Sequence, residues 1–192
     1  MIKKSVIPLL FSISLLFQAC SRDENHNEKK EDVKINVIEK KQYSLTTLDN
    51  KTILIKKSKN GSGFYIENQK NKIVIFDIFA TWCPPCQAEA QHLTALQQKY
   101  KDKVIIIGLT IEDGEVSQRI KDFKEQYGAD YIFITSKEKK NLITSIIKEL
   151  KMGERFPIPI MALYKDGKYI THYVGATQEE FIDSDIKNAL KR

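Results

Sequence analysis

Ile73-Val-Ile-Phe-Asp77-Ile-Phe-Ala-Thr-Trp82-Cys83-Pro-Pro-Cys86-Gln-Ala-Glu89 runs from an apolar segment, through two cysteines, into a polar helix-forming one. Ile73 to Phe79 is β-branched and aromatic apart from Asp77, which fits a strand buried on both faces. Pro84 and Pro85 are excluded from a central strand and from a helix interior. Both fit a first helical turn, where a missing N–H would have had no partner anyway. Cys83 therefore falls at or just before a helix N-terminus, with Cys86 one turn inside. Orphan N–H groups and the helix dipole favour a thiolate there, and the thiolate is the reactive form of cysteine. The chemistry implied is thiol–disulfide exchange: Cys83 attacks a disulfide and Cys86 resolves the mixed disulfide.

Competing uses of the pair find less support. A zinc site needs four ligands, and the chain has no second Cys-x-x-Cys. Its three histidines, His26, His92 and His172, are scattered without metal-ligand spacing. Covalent haem attachment needs a histidine after the second cysteine, where Gln87 stands. A purely structural disulfide is the plain alternative.

The run Phe79-Ala-Thr-Trp82-Cys83-Pro-Pro-Cys86-x-x-Glu89 resembles the thioredoxin superfamily, and within it the TlpA/ResA/CcmG-like extracytoplasmic thiol–disulfide oxidoreductases. A second mark lies downstream, at Pro157-Ile158-Pro159 followed by a strand and Asp166-Gly167. The resemblance covers roughly residues 40–192. It implies an α/β fold, a mixed central sheet flanked by helices, with an N-terminal β-hairpin extension. It also implies that Pro159 is the cis-proline facing the active site, with Pro157 as the alternative. Ile158 would then present its backbone to substrate beside Trp82, Pro84 and Pro85.

The segments before the domain read differently. Lys3 and Lys4 precede an apolar run, Ser5–Phe17, too short to span a bilayer. It ends at Leu16-Phe-Gln-Ala19-Cys20-Ser21, which resembles a bacterial lipoprotein signal; an ordinary secretory signal is the alternative. On the lipoprotein reading, residues 1–19 are removed and Cys20 carries the lipid, which accounts for the third cysteine. Residues 20–40 are expected to be the lipidated cysteine and a disordered tether, because Ser21–Asp32 contains nothing apolar to bury. The thioredoxin-like domain takes 41–192. Net charge is +6, with charges of both signs dispersed and no compact basic patch, so nucleic acid is not an expected partner.

Along the domain, Tyr43–Leu48 and Thr52–Ile55 read as the hairpin, and Phe64–Ile66 as a short edge strand. Val104–Thr110 is a buried strand, and Glu112-Asp-Gly114 the turn after it. Val116, Ile120, Phe123 and Tyr127 stripe a helix closed by Gly128. Tyr131–Ile134 is a short strand. Leu142, Ile143, Ile146, Ile147 and Leu150 stripe another helix. Ile160–Tyr164 and Tyr169–Val174 flank an Asp-Gly turn, and Phe181, Ile182, Ile186 and Leu190 are expected as the buried face of the last helix.

Asp77 and Glu89 are the candidate proton-transfer groups. A carboxyl in an apolar strand is costly unless neutral. Asp77 matches an Asp that serves the resolving cysteine in thioredoxin, and Glu89 matches an acidic residue near the ResA-type site. The alternatives are a solvent-facing Asp77 and a Glu89 favoured merely by the helix dipole. The function expected is a lipid-anchored, periplasmic thiol–disulfide oxidoreductase. It would reduce protein disulfides, apocytochrome c cysteines among them, as a monomer drawing electrons from a membrane thiol donor. No cofactor and no metal are implied, since electrons pass through the cysteines. An oxidase or isomerase, and a non-catalytic binding lipoprotein, are the alternatives.

Overall fold

The computed structural model describes residues 40–59 and 62–191. The expected leader, Cys20 and all of the tether but Lys40 lie outside the described residues. The first strands, β1 (Gln42–Thr46), β2 (Thr52–Lys57) and β3 (Phe64–Ile66), form a three-stranded antiparallel sheet. The expected hairpin is thus extended: Phe64–Ile66 pairs with Ile55–Lys57 and belongs to the same sheet.

A second sheet holds five strands. They are β4 (Ile73–Phe79), β5 (Val104–Thr110), β6 (Ile132–Phe133), β7 (Ile160–Lys165) and β8 (Lys168–Val174), in the order β6-β5-β4-β7-β8. β4, β5 and β6 are parallel, while β7 runs antiparallel to β4 and β8 antiparallel to β7. The helices are α1 (Pro84–Lys99), α2 (Ser117–Tyr127), α3 (Lys139–Glu149) and α4 (Glu179–Leu190).

Every residue of β4 is buried, so its two faces serve two cores. Ile73, Ile75 and Phe79 pack with α1, α2 and α4. Val74, Phe76 and Ile78 pack with α3 and the N-terminal sheet. Strand alternation puts Asp77 on the α1 side. The N-terminal sheet is pinned through Phe64, whose ring centroid lies 5.4 Å from that of Tyr164 and 6.1 Å from that of Phe76. A phenylalanine buried this fully contributes about 1.5–3 kcal/mol.

β6 is shorter than the sequence suggested and pairs only with Ile107 and Gly108 of β5. Gln97 of α1 serves the rest of that edge: its amide donates to the Val104 carbonyl at 2.9 Å and accepts from the Ile106 N–H at 2.8 Å. A side chain thereby completes a ladder that would otherwise leave buried backbone groups unpaired. α2 closes on Gly128 in the left-handed region, φ 62°. Asp166 and Gly167, both at positive φ, make the tight turn between β7 and β8.

Phe181 departs from expectation. It is 59% exposed, while Ile182, Asp183, Ile186 and Ala189 make the buried face of α4. The helix starts at Glu179, so Phe181 lies in its first turn, out of phase with the Ile182–Ile186 stripe.

Gly108 is fixed by packing rather than by backbone conformation. A Cβ there would meet the Phe133 ring at 2.6 and 2.7 Å. That ring is itself held by Phe79 and Phe123 and has little room to yield. Gly108→Ala is expected to destabilise the domain by about 1–3 kcal/mol. Chemical denaturation reads this, and an unchanged midpoint would show that the core repacks freely.

Candidate active site

The strand-to-helix junction sets the site. Cys83 is the N-cap of α1, with extended backbone (φ −86°, ψ 111°), and Pro84 and Pro85 occupy the first helical positions. Cys86 sits one turn in, and the two cysteines form a disulfide with a Cα–Cα distance of 5.3 Å. Both are buried, while Trp82 beside them is 63% exposed and Pro84 and Pro85 are exposed. Two prolines in the first turn leave Cys86 as the first helical residue with an N–H to offer a charge at Cys83.

The loop ahead of Cys83 is clamped from two sides. Glu112, just past β5, accepts from the Thr81 N–H at 2.7 Å, the Thr81 hydroxyl at 3.1 Å and the Thr110 hydroxyl at 2.9 Å. Arg119 of α2 pairs with the same carboxylate at 3.1 Å. On the other side Gln87 donates to the Thr81 carbonyl at 2.8 Å. The position of Trp82-Cys83 therefore follows from Glu112 as well as from α1.

Across from the cysteines stands the Ile158–Pro159 peptide, which is cis. Cys83 Sγ lies 4.0 Å from the Ile158 carbonyl. Pro159 is buried, Ile158 half-buried, and Pro157 exposed. The Pro159 carbonyl accepts from the Gly175 N–H at 2.8 Å, so the end of β8 braces this loop.

Two carboxyls, Asp77 on β4 and Glu89 on α1, are nearly sealed from solvent, at 3% and 2% exposure. Asp77 is therefore not a solvent-facing strand residue. Burial pushes its pKa up to about 8, the charge of Glu89 adds to the rise, and the Tyr131 hydroxyl, donating to Oδ2 at 3.0 Å, opposes it. Glu89 is pushed up to about 7 by burial, against the stabilising Thr177 N–H that donates to Oε1 at 2.9 Å. Its Oε2 has no hydrogen-bond partner among the described residues. Two acids poised near neutrality can take up and return the protons that thiol–disulfide exchange releases.

Cys83, Cys86, Trp82, Pro84, Pro85, Ile158, Pro159, Asp77 and Glu89 thus converge at one end of the five-stranded sheet. His92 and His172 do not join them: His92 is exposed, and His172 shares a 2.6 Å hydrogen bond with Tyr169, while His26 lies outside the described residues. Among the described residues no group of His, Cys, Asp and Glu is arranged to hold a metal. Sequence reading missed Tyr131, Glu112 and Thr177. Glu112 carried a signal, being an acidic residue immediately past the C-terminal end of a parallel strand, where sites in such sheets form. Tyr131 and Thr177 carried none, since each acts through a long-range contact.

The Redoxin family profile matches residues 39–190 of this chain. The thiol-disulfide oxidoreductase ResA of Bacillus anthracis is 30% identical over 129 residues, 66% of this chain and 69% of the relative. ResA of Bacillus thuringiensis (strain Al Hakam) matches to the same extent, 30% over 129 residues. Among solved structures, a thiol:disulfide interchange protein from Chlorobium tepidum aligns with a TM-score of 0.58 at 21% identity, over 78% of this chain and 93% of that one. StoA from Bacillus subtilis aligns with a TM-score of 0.53 at 16% identity, over 75% and 95%. At these identities the structural likenesses speak for the fold.

Proposed function

Since this chain belongs to the redoxin family, we propose that its thiol–disulfide oxidoreductase activity reduces protein disulfides outside the cytoplasm, from a lipid anchor on Cys20. The observation that carries this reading is the Cys83–Cys86 pair at the N-terminus of α1, facing the carbonyl of Ile158 across 4.0 Å. Cys83 is the attacking thiolate and Cys86 the resolving thiol. Trp82, Pro84, Pro85, Ile158 and Pro159 form the surface on which an extended substrate segment lies. Asp77 and Glu89 hold the protons.

The direction of electron flow follows from what stabilises the reduced form. A strongly oxidising couple is one whose thiolate is well stabilised. Pro84 and Pro85 remove two N–H donors from the helix end nearest Cys83, and no histidine stands between the cysteines. The thiolate is accordingly less favoured, and the couple is the more reducing for it. The electrons come from a membrane thiol donor, and apocytochrome c cysteines are a suitable substrate. The anchor is supported by Leu16-Phe-Gln-Ala19-Cys20-Ser21 and by the polar stretch that follows it.

The test is the reduction potential of the Cys83–Cys86 couple, equilibrated against defined thiol–disulfide buffers. We expect a value at or below about −250 mV, in the range of thioredoxin-like reductants. A value near about −120 mV would replace this reading with disulfide formation.

A further inference from the structure

Tyr131 touches neither cysteine in any hydrogen bond of the site, yet its hydroxyl is the donor to Asp77. The contact depends on packing that starts opposite Asp77. Gly108 is the partner of Asp77 on β5, and Phe133 is the partner of Gly108 on β6. With no side chain at Gly108, the Phe133 ring fills the gap, 2.6 Å from where a Cβ would stand. Tyr131 packs on Phe133 with ring centroids 4.4 Å apart, and Phe133 is wedged against Phe79 at 5.5 Å. A missing side chain on β5 thus makes the room through which the segment entering β6 delivers a hydroxyl to a carboxyl two strands away.

Few polar groups compete for that carboxyl. α1 contributes Glu89, a like charge. The neighbours on β5 and β7, Gly108 and Met161, carry no charge. α2 and α4 present Ile120, Phe123, Ile182 and Ile186 to this core. A donor to a carboxylate favours its ionised form.

We propose that Tyr131 is a positioning residue for the exchange reaction, orienting the Asp77 carboxyl and favouring its proton-accepting form for the Cys86 thiol. The proposal rests on the reading of Asp77 as that proton acceptor. In the step concerned, Cys86 gives its proton to Asp77 and its sulfur attacks Cys83 Sγ. The Cys83–substrate S–S bond breaks and the substrate sulfur leaves as a thiolate. The two cysteines are oxidised to their disulfide, and the substrate takes up the same two electrons.

Mixing the reduced protein with an aromatic disulfide isolates this step. The first coloured thiolate reports attack by Cys83, and the second reports resolution by Cys86. The second rate is followed from about pH 5 to about pH 9. Tyr131→Phe keeps the ring and its stacking and removes one hydroxyl. It is expected to move the inflection of that rate upward by about one pH unit. Asp77→Asn is expected to remove the inflection, and Tyr131→Phe to add nothing in the Asp77→Asn background. A Tyr131→Phe profile that superimposes on the wild type, while Asp77→Asn loses the inflection, would overturn the proposal. An Asp77→Asn profile identical to the wild type would overturn the reading of Asp77 beneath it.

Discussion

Replacing Cys83 by serine is expected to lower the dithiol-dependent reduction of a protein disulfide by at least about 10³-fold, while thermal unfolding of the reduced protein stays close to that of the wild type. The reaction needs a sulfur anion at the N-cap of α1 that forms a covalent bond with a substrate sulfur. A serine hydroxyl in the same place neither ionises near neutral pH nor forms that bond. Cys86→Ser acts on the following step. Attack still occurs, but nothing displaces the substrate from Cys83, so a covalent mixed disulfide accumulates and is released by added dithiol. Mass spectrometry of the intact adduct and a turbidity or fluorescence assay of reduction read the two variants side by side. Full activity in Cys83→Ser would leave the chain as a docking module that carries a disulfide without using it. Full turnover in Cys86→Ser would mean that the substrate's own second thiol performs the resolution.

The parts of this site that were legible in the sequence are those set by local rules. A β-branched run ending in Cys-Pro-Pro-Cys fixes strand, turn and helix start, because proline tolerates few positions. The buried face of α3 could be read from a repeat of 3.6, since Leu142, Ile143, Ile146 and Ile147 lie on one stripe. The environment of Asp77 was not legible. A strand buried on both faces has no polar side to betray its orientation, and both of its neighbours were needed to place it. Tyr131 reaches Asp77 from 54 residues away and Thr177 reaches Glu89 from 88, so both partners become visible only once the sheet order is known. Phe181 misled for the opposite reason: one apolar residue in a first helical turn fits a stripe on paper, whereas the next turns decide which face is buried.

Asp77→Asn is expected to stabilise the oxidised protein by about 2–4 kcal/mol near pH 9 and by less than about 1 kcal/mol near pH 4. Burial raises the pKa of Asp77 to about 8 in the folded protein, against about 3.9 for an unfolded aspartate. A carboxyl whose folded value is raised is held as the neutral acid by the fold. Its favourable contribution is fully present below about pH 4 and is lost as the pH rises through about 8. About four pH units at 1.36 kcal/mol each set an upper bound of roughly 5 kcal/mol, which relaxation around the ionised group reduces. Asparagine has nearly the same shape, can still accept from the Tyr131 hydroxyl, and never ionises. The variant should therefore match the wild type in acid and exceed it in base. Glu89, pushed up to about 7 by burial, adds a second loss over a lower window, so the wild type weakens progressively from about pH 4 to about pH 8. Urea denaturation of both proteins at the two pH values measures the effect. A gap that does not widen with pH would mean that Asp77 keeps its charge without penalty and is unsuited to return a proton to Cys86. A widening gap would show that the fold forgoes stability at neutral pH to keep a buried acid on the α1 side of β4, and that the Tyr131 hydrogen bond lessens what burial and Glu89 impose.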